Sequence, residues 1–127
     1  MHKIFIAEDS VEVARMYERA FTLKGHEIVL AHDGQQALEM LQKDPETPAA
    51  VVLDIMMPHM NGLELIRHLR QDERFKQVPI AVLTNSFYKE DAERFLTAGA
   101  DLYLIKIDNQ SSEVVEKIEA LITSKKQ

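Results

Sequence analysis

Five short apolar runs punctuate the chain, and residues at helical spacing follow each one. The runs are Lys3–Ala7, Glu27–Ala31, Ala49–Ile55, Pro79–Leu83 and Leu102–Ile105. After the first, Val13, Ala14, Tyr17, Ala20 and Phe21 share one helical face, and Gly25 supplies a stop. Asp33-Gly34-Gln35-Gln36 has capping-box spacing and opens a second helix with Ala37, Leu38 and Leu41 as its apolar stripe. Gly62, Leu65, Ile66 and Leu69 mark a third. A fourth runs from about Tyr88 to Ala98 and stops at Gly99. Val114, Val115, Ile118, Leu121 and Ile122 mark a fifth, with Ser111 or Ser112 as its cap. Asp44–Pro48 reads as a loop, Asp72–Gln77 as a polar connection and Lys125-Lys126-Gln127 as a solvated tail. Strands that alternate with helices imply a parallel sheet covered on both faces, with right-handed crossovers. The expected fold is α/β: a doubly wound five-stranded parallel sheet in the order 2-1-3-4-5.

At 127 residues the chain is expected to form a single domain, residues 1–127, with no output domain. A 46% hydrophobic content suffices for a core, and a formal net charge of -6 argues against a nucleic-acid partner, which needs a basic footprint. Without cysteine, disulfides, thiolate metal sites and cysteine nucleophiles are excluded. No apolar stretch approaches the roughly 18–20 residues of a membrane span, so no membrane association is expected. The N-terminus enters a strand pattern directly, so no signal peptide is expected, and a cytoplasmic location is.

The stretch Val51-Val52-Leu53-Asp54-Ile55-Met56-Met57-Pro58-His59-Met60-Asn61-Gly62 places an acid where a buried strand leaves the core for a turn. In open parallel sheets ligands bind at the carboxyl ends of the strands. The other strands deliver Glu8-Asp9, Thr84 and Lys106 to that same rim. Singly, each has a plain structural role: Glu8-Asp9 could cap the first helix, Thr84 could form a turn, and Lys106 could reach out from a strand end. Together they are three crowded carboxylates, a hydroxyl and an ammonium group. Such a set suits a hard divalent cation and a phosphoryl group, with a carboxylate as nucleophile.

The motifs F-I-A-E-D, V-V-L-D-I-M-M-P-H-M-N-G, I-A-V-L-T, the A-G-A-D helix end and Y-L-I-K occur in this order. In them the chain resembles a response-regulator receiver domain of two-component signalling, in a single-domain form like the chemotaxis regulators, from about Lys3 to Thr123. The resemblance implies a flavodoxin-like fold and a phosphoacceptor switch, not a conventional enzyme. Asp54 would take a phosphoryl group from a phosphohistidine donor, either a sensor histidine kinase or a histidine phosphotransfer protein. Mg²⁺, or Mn²⁺ in its place, would be held by Asp9 directly, by Glu8 largely through water, by Asp54 and by the backbone carbonyl of Met56. Thr84 resembles the switch hydroxyl, Lys106 the phosphate-binding lysine and Tyr103 the switch aromatic. Tyr103 is expected to turn inward on phosphorylation and reshape the surface of helix four, strand five and helix five for a downstream protein target or a homodimer contact. The plainer alternative for Tyr103 is a half-buried aromatic with a hydrated hydroxyl.

Two positions depart from the family pattern. Ile107 stands where proline is usual, so a trans Lys106–Ile107 peptide and a rebuilt loop through Asp108-Asn109-Gln110 are expected. Asn85 stands where a small residue is usual, and could either bond the phosphoryl group or obstruct it. Met56, Asn85 and Ser86 are expected to modulate hydrolysis of the acyl phosphate. Alternatives are an unphosphorylated pseudo-receiver that only binds protein, or a receiver fragment of a larger regulator. An aspartyl phosphatase would need a second acid where Met56 stands, and a flavin module would need a phosphate-cradling loop after strand one.

Overall fold

The computed structural model describes residues 2–125. The first strand, β1 (Lys3–Ala7), is followed by α1 (Val11–Leu23), β2 (Glu27–Ala31), α2 (Gly34–Lys43), β3 (Ala50–Leu53) and α3 (Gly62–Gln71). After these come β4 (Ile80–Thr84), α4 (Lys89–Ala98), β5 (Leu102–Ile105) and α5 (Ser111–Lys125). The strands form one sheet in the order β2-β1-β3-β4-β5, and every neighbouring pair is parallel. The expected order holds. Lys126 and Gln127 of the expected tail lie outside the described residues, as does Met1. Among the described residues no helix is long and apolar enough to cross a membrane.

Alternation along the strands divides the core in two. Phe5, Ala7, Val51, Leu53, Ile80 and Val82 point to one face, where Leu38 and Leu41 of α2, Leu65, Ile66 and Leu69 of α3, and Phe95 of α4 cover them. Ile4, Ile6, Val52, Ala81 and Leu83 point to the other, beneath Tyr17 and Phe21 of α1 and Val114, Val115, Ile118 and Ile122 of α5. All residues of β3 and β4 are buried, so these central strands read as unbroken apolar runs.

Caps explain several boundaries. Ser10 Oγ accepts from Val13 N–H at 3.3 Å, Asp33 Oδ1 from Gln36 N–H at 2.7 Å, and Asn61 Oδ1 from Glu64 N–H at 3.0 Å. Gly99 closes α4 with φ of 126°, a left-handed value that suits glycine. At α5 neither serine is the cap: the helix begins at Ser111, and Gln110 N–H donates to Glu113 Oε1 at 2.8 Å.

Three further expectations change. β3 ends at Leu53 rather than Ile55, because Asp54 Oδ1 accepts the Ile55 N–H at 2.6 Å and Ile55 O takes the Gly62 N–H at 3.0 Å, which pulls the chain out of the ladder. β4 starts at Ile80, one residue after the proline expected to open it. The polar connection contains a 3-10 turn, Glu73–Phe75, whose Phe75 is fully buried in the core. The Lys106–Ile107 peptide is trans, and the loop after it is rebuilt as a 3-10 turn over Lys106–Asp108.

Candidate phosphoacceptor site

The site lies at the carboxyl ends of β1, β3 and β5, on loops that the sheet register places side by side. Ala7 of β1 pairs with Leu53 of β3, so Glu8-Asp9 and Asp54 leave the sheet together. The turn after Asp54 is packed too closely for side chains at its base. A Cβ on Gly62 would fall 2.4 Å from Asp54 O, and one on Gly34 would fall 1.9 Å from Met60 O. These two glycines let the start of α3 close over the end of β3 and let α2 press against the turn. Met57 and Met60 tuck inward, whereas the Met56 side chain is 75% exposed.

Glu8, Asp9 and Asp54 each present one carboxylate oxygen, and these three oxygens lie within 4.8 Å of one another. Glu8 is buried and Asp9 exposed. Lys106 Nζ reaches across from β5, donating to Glu8 Oε1 at 2.5 Å and Asp54 Oδ2 at 2.8 Å. Glu8 Oε2 also accepts from Ser10 N–H at 3.0 Å, which fixes its second oxygen.

Burial pushes the Glu8 carboxyl above its ordinary 4.5, although the Lys106 ammonium and the Ser10 N–H pull it down. Burial alone would lower Lys106, but its bonds to Asp54 and Glu8 outweigh that and hold it above 10.5. The ammonium is therefore the charge that compensates the crowded acids. Three oxygen donors, one of them facing solvent, fit a hard divalent cation that keeps part of its water shell.

Thr84 and Tyr103 meet through Ser86. Thr84 is buried at the end of β4, and its Oγ1 accepts from Ser86 N–H at 3.4 Å. Tyr103 packs its ring near Phe95 and donates its hydroxyl to Ser86 O at 3.0 Å. That hydroxyl is thus bonded to the protein, and burial raises its pKa above 10.0. Ser86 Oγ in turn donates to Asp91 Oδ2 in the first turn of α4, at 2.5 Å. Asn85 is exposed. Sequence reasoning placed Ser86 beside the site but did not find its link to Asp91. It also missed Tyr17, a buried tyrosine whose pKa burial raises, with weaker influences from Lys106, Glu8 and Asp54. Neither carries a motif; only the fold brings them to the site.

The class of protein is thus a doubly wound parallel α/β fold that gathers three acids and a lysine on one rim. The sequence matches the response regulator receiver domain family over residues 4–119, and the chain belongs to that family. It is 40% identical over 104 residues to the response regulator MprA of Mycobacterium ulcerans, covering 82% of this chain and 43% of that protein. The chain thus spans somewhat under half of that relative's length. The chemotaxis response regulator CheY4 of Vibrio cholerae superposes with a TM-score of 0.87 at 26% identity, covering 95% of this chain and 98% of the other. The receiver domain of the sensor histidine kinase PA1611 of Pseudomonas aeruginosa, which holds a magnesium ion in its active-site cleft, superposes with a TM-score of 0.85 at 26% identity, covering 96% and 98%.

Proposed function

We propose that the chain is a phosphoacceptor switch in which Asp54 takes a phosphoryl group from a phosphohistidine. The observation that carries this reading is the Lys106 ammonium bonded at once to Asp54 and Glu8, beside the free-facing Asp9. An Asp54 oxygen would form the new O–P bond as the donor's P–N bond breaks. The electron pair passes to the imidazole nitrogen, which takes a proton from water. Glu8, Asp9, Asp54 and the Met56 carbonyl are the groups that would hold Mg²⁺ or Mn²⁺. When bound, the cation neutralises the carboxylates and the equatorial oxygens of the transferring group. Lys106 would exchange its bond to Asp54 for one to a phosphoryl oxygen. Thr84 would turn its hydroxyl to another and release the Ser86 N–H.

That release is the proposed readout. Ser86 joins Thr84, Tyr103 and Asp91, so movement of the Thr84 hydroxyl would loosen the loop between β4 and α4. Because Tyr103 already lies against the core, its expected swing inward reduces to a tightening of an existing contact. The altered surface of α4, β5 and α5 would meet a downstream protein or a second copy. A histidine kinase or phosphotransfer protein in the cytoplasm is the proposed donor.

The test is intact mass after incubation with acetyl phosphate and Mg²⁺. The chain should gain one phosphoryl group, and Asp54→Asn should gain none. Absence of any gain, with small-molecule and phosphohistidine donors alike, would overturn the reading in favour of a protein-binding pseudo-receiver.

A further inference from the structure

The turn that carries Lys106 has little to hold it. Of its three residues, Ile107 is 77% exposed, and Asp108 is exposed and makes no side-chain bond among the described residues. Lys106 itself is committed to the acids. The tether comes from the next residue. Asn109 Nδ2 donates to Ile105 O at 2.9 Å, its backbone N–H donates to Lys106 O at 3.3 Å, and its Oδ1 accepts from Lys117 Nζ of α5 at 2.5 Å. One amide side chain therefore ties the last residue of β5 to α5, and the backbone N–H of the same residue closes the turn between them. Lys106 must span from this turn to two oxygens at 2.5 and 2.8 Å, so the position of the turn bears on both bonds at once.

We propose that Asn109 is a positioning residue that holds Lys106 against Glu8 and Asp54. It thereby sets how strongly the ammonium competes with a divalent cation for those two carboxylates. An ammonium and a cation cannot both be close to the same oxygens without mutual repulsion. A loosened Lys106 leaves the acids more available to the metal, yet delivers less charge to a phosphoryl oxygen. The first consequence concerns the carboxylates alone; the second rests on the phosphoacceptor reading above.

The test uses the whole chain and two readouts, Mg²⁺ affinity by calorimetry and the rate of phosphorylation by acetyl phosphate at saturating Mg²⁺. Asn109→Ala should bind Mg²⁺ about two- to fivefold more tightly and be phosphorylated roughly three- to tenfold more slowly. Lys117→Met, at an exposed site, should move both in the same directions by less. Ile107→Ala should move neither. Opposite signs separate positioning from damage, because a disordered site loses metal affinity along with rate. Unchanged or weakened Mg²⁺ affinity in Asn109→Ala would overturn the proposal. If that variant does not fold, Lys117→Met decides by the same criterion. A wild-type chain that is never phosphorylated, while Asn109→Ala still tightens Mg²⁺ binding, would sink the phosphoacceptor reading and leave the clamp standing.

Discussion

Lys106 shows how a single ammonium group makes an acidic rim tolerable. Glu8 is buried and held above its ordinary 4.5 by that burial, with Lys106 as the main opposing pull. Removing the ammonium while keeping the stem, as in Lys106→Met, leaves burial and the neighbouring Asp54 opposed only by the Ser10 N–H. The Glu8 carboxyl should then titrate higher still, which carbon-detected NMR of the side chain can follow. The stability consequence has a definite sign. A carboxyl whose folded pKa exceeds its unfolded value contributes in full below the unfolded value and loses that contribution as pH rises through the folded one. Lys106→Met should therefore cost about 1–2 kcal/mol at neutral pH, allowing for screening by water at the open side, and much less near pH 4. A cost independent of pH would show that Lys106 stabilises by packing alone. The placement of Glu8, Asp9, Asp54 and Lys106 on one rim could be inferred from sequence because each sits at the end of an apolar run. The side-chain bonds of Ser86, Asp91 and Asn109 could not be read in this way, because they join separate elements.

Arg70 does for the elements what Lys106 does for the site. From the last turn of α3, its guanidinium donates to Phe75 O and Val78 O at 2.8 Å, to Gly99 O at 2.9 Å and to Asp101 Oδ2 at 3.0 Å. It thus gathers the 3-10 turn after α3, the entry to β4 and the end of α4 around one planar fork. Gly99 leaves the room for it, since a Cβ there would lie 2.8 Å from Arg70 Cγ. Arg70→Met keeps the stem but strands several carbonyls and the Asp101 carboxylate. It should cost roughly 2–4 kcal/mol, read from the urea midpoint. Arg70→Lys should restore little, because an ammonium group cannot serve these acceptors in a plane. A midpoint unchanged in Arg70→Met would show that water replaces the fork at no cost. The same region shows why some element boundaries escape a sequence reading. Residues 72–77 look polar because five of six are, yet Phe75 alone decides the packing. β3 looks longer than it is because Ile55 is apolar; the bond from its N–H to Asp54 Oδ1 is what ends the strand. Periodicity reports what is buried over a turn or more, whereas single anchors and side chain–backbone bonds leave no periodic trace.

At the scale of the whole molecule, the strand order and the two-sided core were legible, because alternating strands and helices admit few connections. The number and placement of carboxylates on one rim were legible for the same reason. The coupling between that rim and global stability was not, since it depends on a charge balance set by distances. With a formal net charge of -6 and three acids converging at one edge, a divalent cation should bind the folded chain far better than the unfolded one. At about a hundredfold excess over its dissociation constant, Mg²⁺ should add roughly 2.7 kcal/mol, raising the melting temperature by about 8 °C or more. Chelation should return the melt to its starting value. A Glu8→Gln, Asp9→Asn double variant should gain only what sodium chloride of matched ionic strength provides, because general screening does not need converging oxygens. An equal rise in wild type and variant would mean that magnesium acts on the diffuse negative charge of the surface. In that case the rim would be an acidic edge rather than a cation site, and the proposed phosphoryl transfer to Asp54 would have to rely on Lys106 rather than on a cation for charge compensation.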